Sequence, residues 1–326
     1  SRPKNHFAPQ EKRISRPFQP CSTSPQILSA FPHLRVLNQI WTAPGNRKSR
    51  ASAVLRAFRW FLLRRSAARN AQDHPALIQP VFGCRLYPAY ADSIIAKHLM
   101  YRSEWFDWDM LHFLQAYLQP GDHFLDVGAN TGLHTLLAST RIDPEAGGQL
   151  TCIEPHPLNL ERLHHTLQLN ALDHVRVHPL AASDSTASLE LAGTDVFARL
   201  VAKNDPAPSV TVSTARLDDI IRDTPVHACK IDVEGAEWQV LRGASQLIES
   251  GHLPLLILEL CGHLSAHGET ESDFIAWLTS KGYRLASYRH EDQALSFDGP
   301  FPDDVIALTS TGLDLIHARF PHLARS

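Results

Sequence analysis

At 326 residues and 44% hydrophobic content the chain is long enough for one large α/β domain with additions or for two small domains. Its five cysteines (Cys21, Cys84, Cys152, Cys229, Cys261) lie far apart with no C-x-x-C pair, which excludes a zinc framework and a disulfide scaffold and fits a reduced, cytoplasmic protein. The net charge of −3 hides a division: residues 1–72 carry 14 Lys and Arg against one acid, residues 73–326 carry 17 against 33, and so acidic a remainder would repel nucleic-acid phosphate.

Residues 1–73 are rich in Pro, Ser and Arg without sustained periodicity, the composition of a poorly ordered extension. Within it, residues 53–65 (AVLRAFRWFLLRR) form a short basic and aromatic helix candidate, too short and too charged to span a bilayer. Such a segment fits peripheral contact with an anionic membrane through residues 51–69, an organelle transit peptide, or a docking helix covering the rest of the chain.

The folded unit is expected over residues 74–326, with a core at about 120–310. Residues 77–86 read as a strand or hairpin, and 105–118 as an amphipathic helix stopped by Gln119-Pro120-Gly121. Strands are then expected at 123–128, 149–154, 174–181, 227–232, 253–260, 283–288 and 304–309. Helices are expected at 132–140, 157–170, 236–250 and 270–281. Apolar strands alternating with amphipathic helices predict a mostly parallel seven-stranded sheet covered on both faces. The interval 183–226 interrupts this order, with Ala187–Leu191 and Val210–Val212 alternating like short strands, and predicts a small inserted hairpin or flap beside the ligand pocket.

The chemistry concentrates at strand ends. Residues 124–132 read F-L-D-V-G-A-N-T-G, a buried strand running into a glycine-assisted turn, and Glu154 ends the next strand. Gly128 and Gly132 are four apart with Asn130 between them, so the pattern lacks the glycines that bring a backbone close to a pyrophosphate. Asp126 would also repel phosphate, while it would favour a cofactor cationic near its reactive end. Taken alone, Asp126 could equally cap its own turn. An acid at the end of the second strand can accept both hydroxyls of a ribose.

The stretches D-V-G-A-N-T-G (126–132), I-E-P-H-P (153–157), A-A-S-D (181–184), R-L-D (216–218), K-I-D-V-E-G-A-E (230–237), V-L-R-G-A (240–244) and I-L-E-L (257–260) together resemble the FkbM family of S-adenosylmethionine-dependent methyltransferases over roughly residues 85–310. The resemblance implies a Rossmann-like class I methyltransferase fold and S-adenosyl-L-methionine as cofactor. It further implies that Asp126, Gly128, Ala129, Asn130 and Gly132 line the methionine moiety, that Glu154 binds the ribose, and that Pro155, Ser183 and Asp184 meet the adenine. His156 could touch the adenine edge or simply open the following helix. Alternation places Lys230, Asp232 and Glu234 on one side of an extended strand end, where a carboxylate could take the proton of an acceptor hydroxyl. Alternatively, Glu234 and Glu237 charge the first turn of the next helix. Glu259 could join Asp232 in an oxygen cage for Mg²⁺, but nothing in the spacing requires a metal and none is assigned. The family supplies the expected acceptor, a hydroxyl on a small molecule, secondary metabolite or glycan. The competing expectation is a non-catalytic or membrane-surface protein that retains the fold while the basic arm carries the function.

Overall fold

The computed structural model describes residues 40–41, 50–55, 57–58, 79–87, 107–192, 199–200, 209–222, 224–260 and 270–320. In chain order the elements begin with a two-stranded antiparallel hairpin, β1 (Gln79–Val81) and β2 (Cys84–Leu86), and helix α1 (Trp108–Tyr117). Next come β3 (His123–Val127), α2 (Leu133–Ser139), β4 (Gln149–Ile153), α3 (Pro157–Leu169), β5 (Arg176–His178) and β6 (Ala181–Ala182). The insertion contributes β7 (Ser188–Ala192), β8 (Arg199–Leu200), β9 (Ser209–Ala215) and α4 (Leu217–Ile221). The alternation resumes with β10 (Ala228–Ile231), α5 (Glu237–Arg242), α6 (Ser245–Glu249), β11 (Leu255–Glu259) and α7 (Glu271–Ser280). It closes with β12 (Arg284–Arg289), β13 (Ala294–Ser296), β14 (Asp304–Leu308) and α8 (Ser310–Arg319).

The main sheet has eight strands in the order β13-β12-β14-β11-β10-β3-β4-β5. Strands β5, β4, β3, β10 and β11 pair in parallel, whereas β14 runs antiparallel between β11 and β12. Every residue of β3 and β10 is buried, as expected of parallel strands packed on both faces. Alternation divides each strand between two cores. Phe124, Ala228 and Ile257 face one with α1, α2 and α8. Leu125, Cys229 and Leu256 face the other with α4 to α7.

Two local causes fix the edges of this arrangement. Arg319 at the end of α8 forms a two-pronged bridge to Asp122 (2.6 and 2.9 Å) and donates to the carbonyl of Tyr117, so the last helix is clamped against the start of β3. Thr270 and Thr309 cap α7 and α8 by accepting from the backbone N–H groups of Asp273 and Gly312.

The structure departs from the sequence expectations in four places. The third strand is only three residues long, because Pro179 cannot donate to a sheet ladder and the chain leaves for the second sheet at Ala181. The expected single helix over 236–250 is two, α5 and α6, parted at Gly243-Ala244. Strand β13 adds an eighth member at the edge, and α8 was not expected. The insertion is a four-stranded sheet, β6-β9-β7-β8, larger than a hairpin. Trp105 and most of residues 1–73 lie outside the described residues, although 50–55 and 57–58 are helical.

The chain moves from β3 to β4 on one side and later returns to β10 on the other, so the turns after β3 and β10 diverge from a common crevice. They also touch. Gly128 has φ +81°, and a Cβ built there would lie 1.8 Å from the carbonyl oxygen of Asp232. Gly128→Ala is therefore expected to cost at least about 2 kcal/mol, through overpacking and the left-handed backbone together. Denaturant unfolding of the variant checks this.

Candidate functional site

The crevice opens into a cleft that spans about 950 Å³ when the open space at its mouth is counted. Its floor is the ends of β3, β4, β10 and β11, and Leu189 and Leu191 of β7 form a wall from the inserted sheet. Apolar surface from Val127, Ile153, Ala181 and Ala182 is combined with polar groups from Asn130, Glu154, Asn159, Ser183, Gln239 and three acids.

Glu154 sits at one side, 4% exposed. One carboxylate oxygen accepts from the backbone N–H of Asn130 (2.8 Å), the other from that of His156 (2.9 Å) and from the Asn159 amide (3.4 Å). Burial pushes its pKa up to about 7, against the lowering effect of these donors. The turn that supplies Asn130 is unusual backbone: Gly128, Asn130 and Gly132 all have positive φ, at 81, 49 and 88°. Asn130 tolerates it because short polar side chains adopt that region more readily than most. Among the described residues its Oδ1, buried in the cleft wall, has no hydrogen-bond partner, and neither has the Gln239 Oε1.

At the other side, Asp232, Glu234 and Glu259 bring carboxylate oxygens within 4.8 Å of one another. Three such charges need compensation. Lys230 lies beneath them, 3% exposed, with its Nζ 2.6 Å from Asp232 and 3.9 Å from Asp107. Burial alone would lower the Lys230 pKa, but Asp232, Asp107 and Asp304 override it and hold the ammonium above its ordinary range. Burial, and then the neighbouring Asp232, push the Glu259 pKa well above the ordinary carboxylate range. The turn itself is held by Glu237, which accepts from the backbone N–H groups of Val233 (3.0 Å) and Gly235 (3.2 Å). Glu234 has φ 54°, a strained backbone state of the kind that concentrates at functional sites.

Of the residues the sequence put forward for the cofactor, Gly128, Asn130, Glu154, Pro155 and Ser183 line the cleft, and Asp126, Ala129, Gly132 and Asp184 do not. Asp126 is 1% exposed and its Oδ2 accepts from both the N–H (3.0 Å) and the hydroxyl (2.6 Å) of Thr135. It thus anchors the start of α2 to β3. Ala129 belongs to the core, and Gly132 makes room for Leu163, whose Cδ1 would be 2.7 Å from a Cβ there. Asp184 is exposed and accepts from the Ser185 hydroxyl. Among the catalytic candidates Asp232 and Glu234 line the cleft, whereas Lys230 lies below it as a positioning group for Asp232. His156 caps α3 by accepting from the Leu158 N–H (3.3 Å). His263 and His267, which follow β11 in the sequence, lie outside the described residues.

Gln239, Asn159, Leu189 and Leu191 were missed. Asn159 had a signal: it stands one short turn into α3 from His156, within reach back to Glu154. Leu189 and Leu191 had only the alternation of β7.

The model of the Methyltransferase FkbM domain matches residues 126–285. Methyltransferase 1 of Beauveria bassiana is 27% identical over 202 residues, which cover 52% of this chain and 76% of that protein. Hexuronic acid methyltransferase AglP of Haloferax volcanii is 26% identical over 145 residues, 44% of this chain and only 58% of that protein. Among solved structures, a methyltransferase FkbM of Methylobacillus flagellatus aligns at 20% identity and a TM-score of 0.39, over 60% of this chain and 47% of that one.

Proposed function

Since the chain belongs to the methyltransferase FkbM family through residues 126–285, we propose that it transfers a methyl group from S-adenosyl-L-methionine to a hydroxyl of a small molecule or sugar. The observation that carries this is one cleft with Glu154 at one side and Asp232, Glu234 and Glu259 at the other.

The residues present fit the cofactor. Glu154 is fixed by backbone donors and still has lone pairs for ribose hydroxyls. The unpartnered Oδ1 of Asn130 and Oε1 of Gln239 call for donors from a ligand. Val127, Ile153, Ala182 and Leu191 supply apolar surface for a flat base. When bound, S-adenosylmethionine offers a methyl carbon activated by a sulfonium, whose positive charge suits the acid side of the cleft. Asp232 is the group assigned to the acceptor: it would receive the hydroxyl proton as the acceptor oxygen takes the methyl carbon and the carbon–sulfur bond breaks, with neutral S-adenosylhomocysteine as the leaving group, and Lys230 keeps Asp232 in place. Glu259, whose burial favours its protonated form, would donate to Asp232 or to the acceptor. Positioning of two reactants in one cleft can supply roughly 7–11 kcal/mol of a barrier. A sugar acceptor is supported by the likeness to a hexuronic acid methyltransferase. The non-catalytic alternative leaves the unpartnered polar atoms of the cleft without a purpose.

The test is calorimetric titration with S-adenosylmethionine and S-adenosylhomocysteine, followed by transfer of labelled methyl to a panel of neutral sugars, hexuronic acids and phenols. Absence of cofactor binding would overturn the reading. Although the three carboxylates form a donor set that a hard cation could take, the buried Lys230 beneath them already offsets part of their charge. Turnover is therefore expected to survive EDTA. Loss of turnover with rescue by Mg²⁺ would transfer the charge-offsetting role to a metal.

A further inference from the structure

Among the described residues, five large hydrophobic side chains are exposed, and four of them stand in one stretch near residues 40–58: Trp41 (61%), Val54 (39%), Leu55 (68%) and Phe58 (59%). The backbone is helical at 50–55 and 57–58, with Ala53 fully buried. At about 100° per residue, Val54, Phe58 and Leu55 fall within an arc of about 100° on the side away from Ala53. The Arg50 guanidinium lies over the Trp41 ring, 4.6 Å from its centre, and joins the Trp to this face. The sequence around it is exclusively basic: Arg47, Lys48, Arg50, Arg56, Arg59, Arg64, Arg65 and Arg69, with no acid between residues 47 and 69.

We propose that this face binds the surface of an anionic lipid bilayer, an activity separate from methyl transfer. An exposed apolar arc that includes Phe, with Trp beside it, in a sequence stretch whose only charges are Lys and Arg, is the composition of a helix lying at the headgroup boundary. Charge complementarity selects anionic lipid over neutral lipid, each Lys or Arg near such a surface being worth roughly five-fold in partitioning. The excess acid of residues 73–326, 17 Lys and Arg against 33 acids, disfavours contact of the rest of the chain with the same surface. Val54 and Leu55 offer nothing to phosphates or base edges, so nucleic acid accounts for the charge but not for the apolar arc. No described helix is long and apolar enough to cross a membrane.

Co-sedimentation of the full chain with vesicles tests this. The chain is expected to pellet with phosphatidylcholine vesicles containing phosphatidylserine, to stay in solution with phosphatidylcholine alone, and to release as salt rises. The pair Leu55→Glu and Phe58→Glu should weaken pelleting ten-fold or more while calorimetric cofactor binding is unchanged. If that variant does not fold, Leu55→Ser alone, at an exposed position, puts the same question. No pelleting with anionic vesicles, undiminished pelleting of either variant, or a chain that instead forms oligomers or binds RNA through this face would overturn the proposal.

Discussion

Asp232→Asn is expected to lower kcat by about 10²–10⁴, the usual worth of a positioned general base, and to leave the affinity for S-adenosylmethionine within a few-fold of the parent. The substitution keeps the shape of the side chain and an oxygen for Lys230, but removes the capacity to accept a proton. Lys230 retains Asp107 at 3.9 Å, so its charge is not abandoned, although losing the nearer partner at 2.6 Å will lower stability. Single-turnover kinetics, with a melting curve as the control for folding, separates the two effects. An unchanged kcat would reduce Asp232 to a counter-ion for Lys230.

Glu154→Ala is expected to act on the other half of the cleft, weakening S-adenosylmethionine binding ten-fold or more. Each hydrogen bond to a charged group is worth about 1.5–3 kcal/mol, and two ribose hydroxyls are at stake. The loss is compounded within the protein, because the backbone N–H groups of Asn130 and His156 lose their acceptor and the turn after β3 loses its tether to β4. Calorimetry decides it. Unchanged affinity would remove Glu154 from the cofactor site.

The central strands were legible because parallel strands buried on both faces are continuous apolar runs. Leu255 to Leu258 is such a run, and Phe124 to Val127 and Leu150 to Ile153 are each broken by a single polar residue, Asp126 and Thr151. Glu154 and Asp232 were legible for the same reason: an acid that ends such a run stands out. What escaped notice depended on contacts distant in sequence. Gly243 divides α5 from α6 because Ser183 approaches it, the carbonyl oxygen lying 2.0 Å from where a Cβ would be. Gly312 sits inside α8 and reads locally as a breaker, yet it is there to admit the carbonyl of Pro254, 2.1 Å from its own absent Cβ. Asp126 looked like a ligand-facing acid, because nothing in the sequence says that Thr135, nine residues on, returns both a hydroxyl and an amide to it. The acid cluster was visible in outline: Asp232 and Glu234 belong to one turn, Glu259 was expected to be able to join Asp232, and the pairing of β10 with β11 brings it there.

The contact between Gly128 and the Asp232 carbonyl has a bearing on how acceptors can diversify. It sets the spacing between the ends of β3 and β10 by main chain, at a position that has no room for a side chain. The surrounding walls, from β7 and from α5, are then at liberty to be recut for molecules of different outline while these two strand ends keep their distance.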